Sequence, residues 1–343
     1  RQMRRTMDDR AGNASAREGA EIDGLAVCNP APLDRTVMVR VPTRLAQGNW
    51  HHYPSRVHNL DVRAAMLTDD EERWIGPVMV PAGGTVVVPA AEFEVTPSKA
   101  GSGSVGEGSL ESPFYAVGFD EGSGRILSVV DRETGIDLLD GESPWDFAGF
   151  VRESVDPERH QGKPKYHGRD ALFDTDFEKL SEKMLSGWKP DWPALRERPG
   201  PPCQVTADLH PLGPQLVLRW GTVPGGRDLV VVVRLLVDRK AVVIETSFLK
   251  DDSMAPEGIY FTFPLSMDNW RAWYDSMGAV VALDADQLPG SVRDYQTVSS
   301  FAAVEGGGAQ VTLACPDAPM VQFGGFHFGK GLRSVPRDGR CLL

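Results

Sequence analysis

A chain of 343 residues is longer than one small core supports, so two domains are expected. Its 41% hydrophobic and 24% charged residues have the balance of a soluble globular protein. The 36 basic against 48 acidic side chains leave a net charge of -12, which argues against nucleic acid or an anionic membrane as the main partner, and no apolar run is long enough to span a bilayer.

The chain opens RQMRR with no apolar stretch behind it, unlike a secretory signal, and it finishes on the apolar Cys341-Leu342-Leu343. Both ends read as those of a fragment. Residues 1–20 place Met3, Met7 and alternating charges at helical spacing, as in the last turns of a helix. From Glu21 the character changes. Leu25 to Val27, the alternating Val37 to Val41, and Thr85 to Val88 are short strands separated by Pro and Gly turns, which predicts a small β-sandwich over residues 21–97. The Gly/Ser-rich SKAGSGSVGEG that follows reads as a flexible linker over 98–110.

A larger β domain is expected over 111–343, opening with a meander from Glu111 to Asp140. Tyr115, Val117 and Phe119 alternate with small residues, Asp120 to Gly124 supplies a hairpin turn, and Ile126 to Val130 and Ile136 to Leu139 continue as strands. Between 147 and 202 the β rhythm breaks. There Thr175 to Glu178 has capping-box spacing, and Phe177, Leu180, Met184, Leu185 and Trp188 share a helical stripe closed by Gly187 and Pro190, predicting one short amphipathic helix. Strands then resume at Leu216, Leu229, Val242, Ile259, Ala279, Tyr295, Val311 and Val321. The fold class is mostly β, with a large antiparallel sandwich.

Cys28, Cys203, Cys315 and Cys341 lie far apart, without a paired spacing for zinc or a disulfide framework. They read as core thiols of a protein in a reducing, cytoplasmic compartment.

Taken in order, VCNPAPLDRTVMVRVP (27–42), MVPAGGTVVV (79–88), the 111–140 meander, APEGIYFTFPL (255–265), DADQLPGSVRDYQTV (284–298) and CPDAPMVQFG (315–324) resemble the C-terminal part of α-mannosidase-like glycoside hydrolases of family 38. The bacterial branch is the nearest match. The resemblance spans nearly all of residues 21–330 and implies a modular enzyme with an α/β catalytic barrel, a helical bundle, and β-sandwiches of the galactose-mutarotase-like kind. In that family the barrel holds an Asp nucleophile and a zinc bound by Asp and His. No segment here matches the barrel, so no catalytic or metal-binding residue transfers and this chain itself is expected to carry no cofactor. The implied partners are the barrel of the same parent chain and carbohydrate; self-association stays open.

Several residue groups have side chains suited to chemistry of their own. Asn49-Trp50-His51-His52-Tyr53, with His58 nearby, is too thin a set for zinc, because adjacent strand residues face opposite ways. His210, His327 and Glu245 supply residue types for an aldose epimerase, but nothing in their spacing brings them together. Asp251/Asp252 and Asp284/Asp286 are close neighbours, whereas glycoside cleavage needs carboxyls on opposite sides of the bond; they read as solvated turn acids. The best carbohydrate-facing group is Trp270, Trp273, Tyr274, Asp275, Arg293, Asp294 and Tyr295, where rings can stack on sugar faces and Arg and Asp can bind hydroxyls. In some family members a sandwich Arg reaches the active site, but that motif is not matched at Phe323-Gly324-Gly325. Three functions follow from the sequence: the non-catalytic β region of such a hydrolase, a stand-alone sugar-binding or structural β protein, and, last, an epimerase.

Overall fold

The computed structural model describes residues 24–41, 73–89, 103–155, 194–253, 257–314, 318–327, 331–337 and 341–342. The expected helices at 1–20 and 175–188, and the His51-His52 cluster with His58, lie outside them. The chain divides into two compact units, Arg1–Gly101 and Ser102–Leu343. All regular structure among the described residues is antiparallel β, and none of it is a helix long and apolar enough to cross a membrane.

In the first unit, β1 (Gly24–Cys28), β2 (Arg35–Val41), β3 (Arg73–Val80) and β4 (Thr85–Pro89) form two pairs, β1 with β4 and β2 with β3. Val80 and Val88 are buried. Asn29, only 5% exposed, pins the turn after β1: its amide donates to the carbonyls of Leu33 (2.8 Å) and Val80 (3.1 Å) and accepts from the Ala31 N–H (3.1 Å). A buried amide is stable only with such partners.

The second unit begins with β5 (Ser104–Gly106), β6 (Ser109–Glu111), β7 (Tyr115–Phe119) and β8 (Ile126–Asp131), a four-stranded meander. The segment that reads as a flexible linker is therefore strand from Ser104 onward. Val105 pairs with Leu110, which is fully buried, and burial of these side chains outweighs the entropy of the flanking glycines. At 136–139, where a third strand is expected after the meander's second turn, only two isolated bridges form, Val130↔Asp137 and Leu139↔Leu265. The Asp137 carboxylate takes the N–H groups of Val129 and Leu139, which competes with a continuous ladder.

The two ends of the expected helical insertion are strands. β9 (Gly149–Val155) pairs with β10 (Ala194–Glu197). Charged residues hide the pattern: Arg152 bonds Glu197 at 2.8 Å and Glu257 at 2.9 Å, so the ions on this face neutralise one another. β11 (Gln204–His210), β12 (Gly213–Val223), β13 (Gly226–Leu235) and β14 (Val242–Lys250) follow as consecutive hairpins, and β15 (Glu257–Thr262) returns to the free edge of β9. Gly213 (φ +143°) is required at the β11–β12 turn, since a Cβ there would lie 1.9 Å from the Leu235 carbonyl oxygen. Leu110, Val117 and Phe119 from the meander join Phe150, Leu216, Leu229 and Val233 in one core.

The remaining strands are shorter: β16 (Pro264–Leu265), β17 (Arg271–Ser276), β18 (Ala279–Ala282), β19 (Gln296–Thr297), β20 (Phe301–Gly306), β21 (Ala309–Ala314), β22 (Met320–Val321) and β23 (Cys341–Leu342). They form a sheet in the order β18-β17-β20-β21 and two small pairs, β19 with β22 and β16 with β23. Their core holds Trp270, Ala272, Tyr274, Val304, Phe323 and Val335, and Phe263 packs against both cores.

Two of the four cysteines depart from expectation; Cys315 lies outside the described residues. Cys28 and Cys203 carry free, exposed thiols at strand ends, in place of the core positions their scatter suggests. The Cys203 thiol donates to the Arg219 carbonyl at 3.1 Å.

Candidate carbohydrate-facing site

Strand alternation divides the aromatic group between two faces. Trp270, just before β17, and Tyr274 on it turn into the second core at 1% and 6% exposure. Neither ring has a face open to a sugar. The Tyr274 hydroxyl accepts from Gln287 at 3.0 Å, and burial raises its pKa. Arg271, Trp273 and Asp275 take the opposite, outward face.

Arg293 and Asp294, expected to bind hydroxyls, are each 4% exposed and already engaged. Arg293 donates to the carbonyls of Ser291 (2.8 Å) and Leu288 (3.2 Å) and pairs with Asp284 at 3.3 Å. Asp294 accepts the backbone N–H groups of Gly331 (2.9 Å) and Leu332 (2.8 Å). Both residues brace the loop carrying 331–337.

Asp284 is the centre of that arrangement and not a solvated turn acid. Its carboxylate binds Arg293, accepts from Arg337 at 2.6 Å, and takes the Val335 N–H at 3.2 Å. It sits at φ +67°, a backbone region Asp tolerates better than most residues. Asp286, its supposed partner, accepts the Ala282 N–H at 2.8 Å. Asp275 is likewise structural: it accepts the N–H groups of Ser300 and Phe301, both at 2.8 Å, and the Ser300 hydroxyl at 2.5 Å. These bonds, the Phe301 N–H foremost, pull its pKa down to about 2. Of the group, Trp273 is half-buried on the outward face and Tyr295 is 41% exposed.

His210 and Glu245 of the epimerase set lie apart. His210 ends β11, its Nδ1 accepting the Leu212 N–H at 3.1 Å, while Glu245 lies on β14. Three strand spacings and four residues along the strand separate them, roughly 20 Å. Glu245 instead closes a polar row across the outer face of this sheet. There Gln215 bonds Asp208 (2.8 Å), Arg234 bonds Gln215 (2.9 Å), and Arg234 bonds Glu245 (3.1 Å). His327 is buried in the segment after β22. Among the described residues no three His, Cys, Asp or Glu side chains gather as metal ligands.

Sequence reasoning passed over the neighbours of Trp273 on the outward face. Register puts Glu305 beside Arg271 and Gln310 beside Glu305. Alternation along β20 and β21 carries that signal, but only once the strand order is known.

No protein-family model and no curated protein sequence matches this chain. Among solved structures it is similar to an α-mannosidase from Enterococcus faecalis V583, at 11% identity and a TM-score of 0.38, over 95% of this chain and 34% of that one. The chain thus spans about a third of that protein's length. A likeness this remote carries no argument about activity.

Proposed function

We propose that this chain is the non-catalytic β portion of an α-mannosidase-like glycoside hydrolase of family 38, supporting a catalytic barrel elsewhere in the parent protein. The ordered stretches that resemble that family motivate the reading. The observation that carries it is the use made of their polar residues. Asn29 in the first stretch, and Asp284, Arg293 and Asp294 in the fifth, bind backbone groups or one another. A general acid or nucleophile must meet substrate, and these side chains brace loops. They are scaffold.

In this reading the family's nucleophile and zinc belong to the barrel, and no step of the reaction is assigned to a residue here. The exposed free thiols of Cys28 and Cys203 suit a reducing, cytoplasmic setting.

The test has two arms. The coding sequence preceding Arg1 should encode a barrel with Asp and His ligands, and the protein carrying it should hydrolyse an aryl α-mannoside in the presence of zinc. The present chain alone should release no aryl alcohol under the same conditions. Turnover by this chain alone, or a parent sequence without such a barrel, overturns the assignment.

A further inference from the structure

The outward face of the β18-β17-β20-β21 sheet has the makings of a glycan platform. Trp273 lies there between Ala282 on β18 and Ala303 on β20. Flanked by two methyl-sized neighbours, its indole has no bulky side chain beside it in register. The adjacent row on the same face reads Arg271, Glu305, Gln310 across three strands. The rows are two residues apart, about 7 Å. That distance is comparable with a pyranose ring and its hydroxyls.

The second row borders a depression. A groove of about 540 Å³, open to solvent, is lined by Asp268, Asn269, Arg271, Glu305 and Gln310 around the Gly306–Gly308 turn. Its volume falls within the range of roughly 300–1,000 Å³ usual for small-ligand sites. Gly306 makes the close approach possible, since a Cβ there would stand 2.7 Å from the Asp268 carbonyl oxygen.

The chemistry of the lining selects the ligand. It mixes a guanidinium, two carboxylates and two carboxamides, so donors and acceptors are balanced with a slight negative excess. A phosphate or sulfate would meet Asp268 and Glu305 on a chain of net charge -12, and a cation would meet Arg271. A neutral polyhydroxyl compound meets neither penalty. The Arg271–Glu305 pair, at 3.6 Å with side chains 70% and 46% exposed, is loose enough to open toward hydroxyls. The Arg271 guanidinium rests 5.6 Å from the Trp273 ring centre, a weak contact at an exposed site that a sugar face can replace.

We propose that this face binds a neutral oligosaccharide, one sugar stacked on Trp273 and the next hydrogen-bonded by Arg271, Glu305 and Gln310. The proposal rests on the register of this sheet and stands apart from the assignment to a hydrolase.

Isothermal titration of the whole chain with α-linked mannotetraose, cellotetraose and a sulfated tetrasaccharide tests it without reading turnover. At least one neutral tetrasaccharide should bind, and the sulfated one should bind more weakly. Trp273→Ala should weaken binding at least about tenfold and Trp273→Phe by less, as removing an aromatic anchor does elsewhere. Should Trp273→Ala fail to fold, the exposed double change Glu305→Ala/Gln310→Ala provides the same reading and should weaken binding at least about threefold. Absence of heat from both neutral sugars up to about 10 mM, where even millimolar affinity shows, overturns the proposal. So does unchanged affinity in the folded variants, or a preference for the sulfated sugar.

Discussion

The two cores of the second unit are held together by different means. Around the first, each strand of β11 to β14 pairs with its neighbour in the chain, and the ladders run long: β12 and β13 share a register from Gln215↔Arg234 to Val223↔Gly226. Backbone groups there are satisfied by the sheet, and side chains are free to be apolar. Around the second, β19 and β22 have two residues each. Carboxylates take over the task of satisfying backbone N–H groups, and they reach far: Asp275 to Ser299–Phe301, Asp294 to Gly331 and Leu332, and Asp284 to Val335, with the Arg337 guanidinium on the same carboxylate. Where a ladder is too short to satisfy the main chain, polar side chains must do so.

Removing one anchor should separate the two constructions most sharply. Asp284→Ala leaves the buried Arg293 guanidinium without its counter-ion, and breaking a buried pair in this way costs about 3–5 kcal/mol. Urea unfolding should show that loss, and hydrogen exchange should show whether β11 to β14 keep their protection. If they do, the regions unfold separately; if protection falls everywhere together, the shared Phe263 contact makes them one cooperative body. In the first core, Leu229→Ala removes a fully buried side chain and should cost about 3 kcal/mol, with no change at the Asp284 anchor.

The pH dependences are smaller. Asp275 has its folded pKa drawn down from 3.8 to about 2, so its contribution is complete above the unfolded value and vanishes as pH falls through the folded one. The thermal midpoint of wild type should exceed that of Asp275→Asn at neutral pH, and the gap should close as pH drops from about 4 to about 2. A gap independent of pH would mean that the carboxylate charge is irrelevant to the loop. Tyr260 on β15 joins the regions through Gln322, whose amide donates to its hydroxyl at 3.2 Å. Burial, with the Glu153 carboxylate adding to it, pushes the Tyr260 pKa up to about 12. Stability from the neutral phenol is therefore present below about 10 and lost as pH rises through the folded value. An ultraviolet titration should show a tyrosine transition near pH 12 that is lost in Tyr260→Phe.

The β character was legible throughout, because Tyr115, Val117 and Phe119, or the run from Leu229 to Leu235, announce buried strand faces by composition and period alone. Charged strands were not. Gly149–Val155 and Ala194–Glu197 read as insertion because Arg152, Glu153 and Glu197 interrupt the pattern, and only their ion pairs across the sheet make those residues compatible with a strand. Of the aromatic and charged group between Trp270 and Tyr295, the sequence identified the segment but could not say which members face outward. Local residue order determined that this chain is a series of short antiparallel strands. Tertiary structure decided what its polar residues are for, since Asp284 meets Arg337 across 53 residues, a partnership that no local period encodes.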